Sequence, residues 1–258
     1  GARPPGRALD ELFIECVAAP DFSPGRPGPM GDKSFDPQND AQFDAYAERY
    51  DELHRANVAA SGEGPEYFAE YKCRVLARMV PKSARVLDFG CGIGNLTRFL
   101  VREFAHVEGY DPSDKSIDRA RVAVPEGRFS SDLDALASEP PFDAIVVANV
   151  LHHVPPAERA PLLDRVVKLL APGGKLVVFE HNPYNPLTRR AVATCEFDED
   201  AILLTSRETR GLLRGAGLHD VKRDYVVFFP RPLRALRGVE PRLGWLPLGA
   251  QYVAYGIR

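Results

Sequence analysis

Residues 86–100 read VLDFGCGIGNLTRFL. Val86 to Phe89 form a short apolar strand with an acidic residue, Asp88, near its end. Gly90, Cys91, Gly92, Ile93 and Gly94 follow as a small-residue turn, and Asn95 to Leu100 open an apolar helix. This is a strand–turn–helix unit whose tight turn lets a ligand approach backbone N–H groups at a helix N-terminus. The pattern is D-x-G-x-G-x-G. It is not the dinucleotide fingerprint G-x-G-x-x-G, because Asn95 stands where the third Gly belongs. A carboxylate ahead of the glycines repels a pyrophosphate and suits a ligand that carries an ammonium group.

Downstream of this unit the chain alternates strand and helix. Strands are expected at 85–89, 107–111, 127–129, 142–148, 174–180, 224–229 and 251–257, and helices at 94–104, 113–122, 156–170 and 206–216. Apolar runs such as AIVVANV and KLVVFE are what a sheet covered on both faces requires. The fold class is therefore α/β, a doubly wound, mainly parallel, seven-stranded sheet. Upstream, Phe43, Tyr46, Ala47, Tyr50 and Leu53 share one helix face, and a second helix is expected from Pro65 to Met79 with Phe68, Tyr71, Val75, Leu76 and Met79 inward. Residues 1–39 are rich in Pro and Gly and read as an arm, either a disordered tail or a segment that wraps a second copy in a homodimer. The expected organisation is an arm (1–39), a helical cap (40–82) and a main domain (83–258).

The chain has 258 residues, 45% hydrophobic and 27% charged, with a net charge of −3. That composition is ordinary for a soluble globular protein. It supplies no general attraction to nucleic acid or to an anionic membrane, and no apolar run is long enough to span a bilayer. Cys16, Cys73, Cys91 and Cys195 are scattered without a C-x-x-C pair. Reduced thiols in a cytoplasmic protein are expected, with neither a disulfide frame nor a metal site.

The glycine unit resembles the first motif of class I S-adenosylmethionine (SAM) dependent methyltransferases, and three later stretches extend the likeness. VEGYDPS (107–113) ends a strand in Asp111, 17 positions after Gly94, where a carboxylate can accept from both ribose hydroxyls. FSSDLDAL (129–136) offers Asp132 for the adenine amino group and Leu133 for its backbone N–H; Asp134 competes, and either acid can instead cap the following turn. FDAIVVANVLHHV (142–154) and LLDRVVKLLAPGGKLVVFEHN from Leu162 resemble ubiquinone-type and related small-molecule methyltransferases. The resemblance implies SAM as cofactor, held by Asp88, Gly90, Cys91, Gly92, Asp111, Pro112, Asp132, Leu133 and Asn149. It implies a small-molecule acceptor; no N-P-P-Y or D-P-P-Y stretch follows the fourth strand, as a nucleic-acid methyltransferase would lead one to expect.

If the acceptor is a hydroxyl, a general base is useful, and His152, His153 and His181 are the candidates; an amine or carbanion would need none. Two insertions, 181–205 and 230–250, interrupt the α/β pattern. Together with Tyr46 and Tyr50 on the cap helix, and with Trp245 in the second insertion, they are expected to wall the acceptor pocket. The arginines of the second insertion, Arg231, Arg234, Arg237 and Arg242, suit an anionic acceptor or a solvated basic face.

Overall fold

The computed structural model describes residues 58, 61–195, 198 and 200–258. The arm (1–39) and the cap helix carrying Tyr46 and Tyr50 lie outside the described residues.

Among the described residues, helix α1 (Pro65–Ala77) precedes strand β1 (Arg85–Phe89). Then come α2 (Thr97–Glu103), β2 (His106–Tyr110), α3 (Asp114–Ala123), β3 (Arg128–Ser130), α4 (Leu133–Ala137) and β4 (Phe142–Ala148). The second half holds α5 (Arg159–Lys168), β5 (Leu170–His181), α6 (Pro186–Ala193), α7 (Ser206–Gly215), β6 (His219–Val226) and β7 (Gln251–Ile257). The strands form one seven-stranded sheet in the order β3-β2-β1-β4-β5-β7-β6. All neighbours run parallel except β7, which is antiparallel to both β5 and β6. The strand order reverses between β1 and β4, and a doubly wound sheet opens its ligand crevice at that point.

Side-chain alternation assigns the two faces. Leu87, Phe89, Ile145, Val147, Leu176, Val178 and Tyr252 pack under α5 and α7. Val86, Ala144, Val146, Val177, Phe179 and Val253 pack under α1 and α2 through Cys73, Leu76 and Leu100. Both faces are dry, which is why β4 and β5 read as unbroken apolar runs.

Three boundaries differ from the sequence expectation for local reasons. Helix α2 starts at Thr97 rather than near 94 because Gly94 has φ +86°, a left-handed backbone that cannot enter a helix. Strand β6 lies at 219–226 rather than 224–229 because Val227 has φ 61° and turns the chain off the sheet. On α1 the buried stripe is Pro65, Ala69, Lys72, Cys73 and Leu76, so the expected inward residues Phe68, Tyr71 and Val75 are only half-buried.

Both insertions carry regular structure. Asn185 accepts from the N–H groups of Leu187 and Thr188 at 3.0 Å each and Pro186 takes the first turn, so the pair starts α6. Residues Arg231–Arg242 form a kinked 3-10 helix between β6 and β7. Its buried Glu240 accepts from the N–H groups of Phe228 and Phe229, both at 3.1 Å, replacing the strand pairing those residues lack.

Candidate active site

A cavity of about 360 Å³ lies at the carboxyl ends of β1, β4 and β5. Ten of the residues singled out from sequence line it: Asp88, Gly90, Cys91, Gly92, Asp111, Pro112, Asn149, His152, His153 and His181. Local geometry brings them there. The N–H groups of Gly90 and Cys91 donate to the Tyr110 carbonyl at 2.7 and 2.9 Å, tying the glycine loop to the end of β2. Asp111 accepts from Gly92 N–H at 2.9 Å and from Ser113 N–H at 3.1 Å, which fixes its carboxylate beside the loop.

The glycines have distinct duties. Gly90 has φ +76°, and a Cβ there would sit 2.4 Å from Val150 Cγ2, so its bareness serves packing. Gly92 has φ +52° and nothing within 4 Å of a Cβ position. It therefore leaves an open cradle on the cavity wall.

Asp88 is buried under the loop and accepts from the Thr97 hydroxyl at 2.7 Å. Burial pushes its carboxyl up to about 7, against the Thr97 bond and the charge of Lys72. Lys72, also buried on the cavity wall, is brought down to about 8 by desolvation, opposed by Glu180 and Asp88. Two buried polar atoms of the lining, Asn149 Oδ1 and Asn95 Nδ2, have no hydrogen-bond partner among the described residues. Asn149 is held at φ 60°, a strained conformation for a residue with a Cβ, of the kind that clusters at ligand sites.

The opposite end of the cavity is a histidine–carboxylate cluster. Glu180, fully buried at the end of β5, accepts from Leu151 N–H at 2.7 Å and bonds His152 Nδ1 at 2.5 Å. Asp198 Oδ1 lies 3.5 Å from His152 Nε2 and 3.6 Å from His153 Nε2. The ring of His152 is 4.1 Å from that of His153 and 5.1 Å from that of His181, centroid to centroid. Burial alone would lower the His152 imidazole, but the Glu180 and Asp198 carboxylates reverse this and raise it to about 9. Burial and the neighbouring His152 charge lower His153 to about 4 and His181 to about 3. The Glu180 and Asp198 carboxylates thus make His152 the most basic of the three imidazoles, and His153 and His181 the least. Arg159 secures the loop by donating to the Leu151 and Val154 carbonyls, and Ile202 N–H donates to the His152 carbonyl at 2.8 Å.

Three expected positions lie elsewhere. Trp245 is 69% exposed and does not line the cavity; Arg223 donates to the Gly244 and Trp245 carbonyls and holds that turn beside edge strand β6. Asp132 is taken up as the N-cap of α4, accepting from the N–H groups of Asp134 and Ala135, and Leu133 turns into the core under α5; neither lines the cavity. Of the second insertion, only its flanks Pro230 and Ala250 reach the cavity. Its Arg237 bonds Glu63 at 2.7 Å and lies over the Tyr67 ring. The first insertion does form a wall, through Asn185, Leu187, Thr188, Ala191, Cys195 and Asp198.

Sequence reasoning missed Lys72, Glu180 and Asp198. A charged residue inside the apolar run VVFEH was the available signal for Glu180, because a carboxylate buried in a strand requires a partner.

Comparison with known proteins agrees with this architecture. A family model described as a methyltransferase domain matches residues 65–223. The chain belongs to that methyltransferase-domain family, within the class I superfamily that the glycine loop resembles. Among curated relatives, it is 35% identical over 161 residues to a ubiquinone biosynthesis O-methyltransferase of Xylella fastidiosa, covering 56% of this chain and 65% of that protein. It is 39% identical over 127 residues to a trans-aconitate 2-methyltransferase of Variovorax paradoxus, covering 46% and 48%. The chain thus spans about two thirds or less of these relatives. Among solved structures, a SAM-dependent methyltransferase from Archaeoglobus fulgidus superposes with a TM-score of 0.61 at 16% identity, covering 83% of this chain and all of that one. At those identities the likeness is one of fold.

Proposed function

We propose that this protein is a SAM-dependent methyltransferase that acts on a hydroxyl group of a small molecule bound in the cavity. The observation that carries this reading is the cradle at the glycine loop, where open space at Gly92 meets the Asp88 and Asp111 carboxylates and the unpartnered Asn149 and Asn95 atoms. These donors and acceptors fit an amino-acid nucleoside. Asp111 would hold the ribose hydroxyls, while Asp88 and Lys72, of opposite charge, match an ammonium and a carboxylate on one ligand. When bound, SAM supplies an activated methyl on a sulfonium.

The chain's own residues then have to orient the acceptor and remove its proton. Phe68, Val227 and Phe228 give the cavity apolar walls. The histidine cluster lies on the same cavity, with the His181 imidazole, lowered by burial, available there to accept a proton. The cavity volume and the net charge of −3 favour a small acceptor over a nucleic acid. Among the described residues no helix is long and apolar enough to cross a membrane.

The test is calorimetric titration with S-adenosylhomocysteine followed by a screen of hydroxylated acceptors with methyl-labelled SAM. Binding and a one-methyl gain on oxygen support the proposal. Absence of binding by folded protein overturns it. Binding without transfer to any acceptor would favour a non-catalytic SAM-binding module on the same fold.

A further inference from the structure

We infer that His152, His153 and Asp198 form a binding site for one first-row divalent cation, with Zn²⁺ the best match to the donor set. Their ligand atoms all lie within 4.8 Å of one another. The two Nε2 atoms approach the same carboxylate oxygen at 3.5 and 3.6 Å. Those separations are at the outer limit of hydrogen bonding. They are close to the roughly 3.3 Å between neighbouring ligands that tetrahedral zinc with bonds of about 2.0–2.1 Å requires.

The surroundings are those of a metal site rather than of a plain ion pair. A metal-binding histidine donates its other ring N–H to a carboxylate, which fixes the tautomer and aims the remaining nitrogen. Glu180 makes that bond to His152 Nδ1 at 2.5 Å and is itself held by Leu151 N–H. The two carboxylates, Glu180 and Asp198, are both buried and together offset a dication's charge. Arg159 and Ile202 brace the loop that carries both histidines. All three ligand residues face the cavity together with His181 and Cys195, so one coordination position opens to whatever occupies it. Two imidazoles and a carboxylate are borderline donors that select zinc, cobalt or iron over magnesium or calcium. The sequence conceals the site, because two ligands are adjacent on one loop and the third comes from the first insertion.

A cation there would bind an acceptor hydroxyl oxygen and lower its pKa. That consequence rests on the methyl-transfer reading; the cation site does not.

The experiment uses untagged full-length protein, stripped with a chelator and titrated with Zn²⁺ by calorimetry and with Co²⁺ by visible absorption. One equivalent of each is expected, with ligand-field bands for Co²⁺. Asp198→Asn and His153→Gln should each weaken binding at least tenfold, and His219→Gln, at an exposed histidine, should not. Glu180→Gln should weaken it about 10- to 100-fold while the stoichiometry stays at one. Circular dichroism reports whether each variant is folded, and a parallel titration with S-adenosylhomocysteine tests the methyltransferase reading separately. Failure of the wild-type protein to take up one equivalent overturns the proposal. So does unchanged affinity in the Asp198 and His153 variants, or, if those do not fold, in Glu180→Gln.

Discussion

The two ends of the cavity are built by different means. The glycine-loop end is largely a backbone device, in which one β–turn–α unit shapes an open cradle, with Asp88 ahead of the glycines and Asp111 just after β2 as its acids. The histidine end is a side-chain device, assembled from the loop after β4, the end of β5 and the first insertion. A backbone device writes itself into the sequence as required glycines at fixed spacing. A side-chain device leaves only scattered residues, each with an unremarked alternative role, and becomes visible when the fold closes. The first end is thus sensitive to volume and backbone conformation, the second to charge.

That contrast is open to direct attack. Gly92→Val should abolish binding of S-adenosylhomocysteine, because the side chain fills the cradle at a φ that β-branched residues avoid. Retained nanomolar-to-micromolar binding in the calorimeter would mean that the loop is not the cofactor cradle. Glu180→Ala should cost about 3–5 kcal/mol of folding stability, since it leaves a buried imidazolium with one counter-charge removed. Chemical denaturation measures this, and a loss under about 1 kcal/mol would show that the cluster is more solvated than its burial suggests.

Asp111→Ala should weaken cofactor affinity by about 1–3 kcal/mol, the scale of lost hydrogen bonds to a charged acceptor; unchanged affinity in folded protein removes the ribose assignment. For Asp88, the folded carboxyl is raised to about 7 from 3.8. Its contribution to apoprotein stability is therefore fully present below pH 4 and is lost as pH rises through 7. Affinity for a ligand ammonium runs the opposite way and should rise several-fold between pH 6 and 8, with Asp88→Asn flattening the profile. A flat wild-type profile would place the ammonium elsewhere. At the small end, Trp245→Ala should change stability by under about 0.5 kcal/mol and leave KM unaltered, since its side chain is exposed beside β6. A raised KM would return that tryptophan to the acceptor pocket.

The sheet, its strand content and the residues of the glycine-loop end were legible because unbroken apolar runs and glycine spacing are local signals. Of the two roles open to Asp132, the structure shows the cap, and Trp245 was expected on a cavity it does not line. Short polar residues serve caps, turns and ligands through the same acceptor atoms, so the sequence shows the atom and the fold decides its partner. Lys72 was hidden by its neighbours, because the aromatics around it suggested a helix face rotated from the one that is buried. Trp245 drew attention by size, while the working parts of its insertion are Glu240 and the flanking Pro230 and Ala250.

The two insertions are stitched to each other. Asn182 donates through Nδ2 to the Pro247 and Gly249 carbonyls, Asn185 to that of Leu248 and Thr188 to that of Ala250. For anyone transplanting acceptor preference between scaffolds, 181–205 and 247–250 form one cassette. Moved alone, the first segment would arrive with its asparagines facing carbonyls that the host does not provide, and the wall would lose its shape before the new acceptor could be tried.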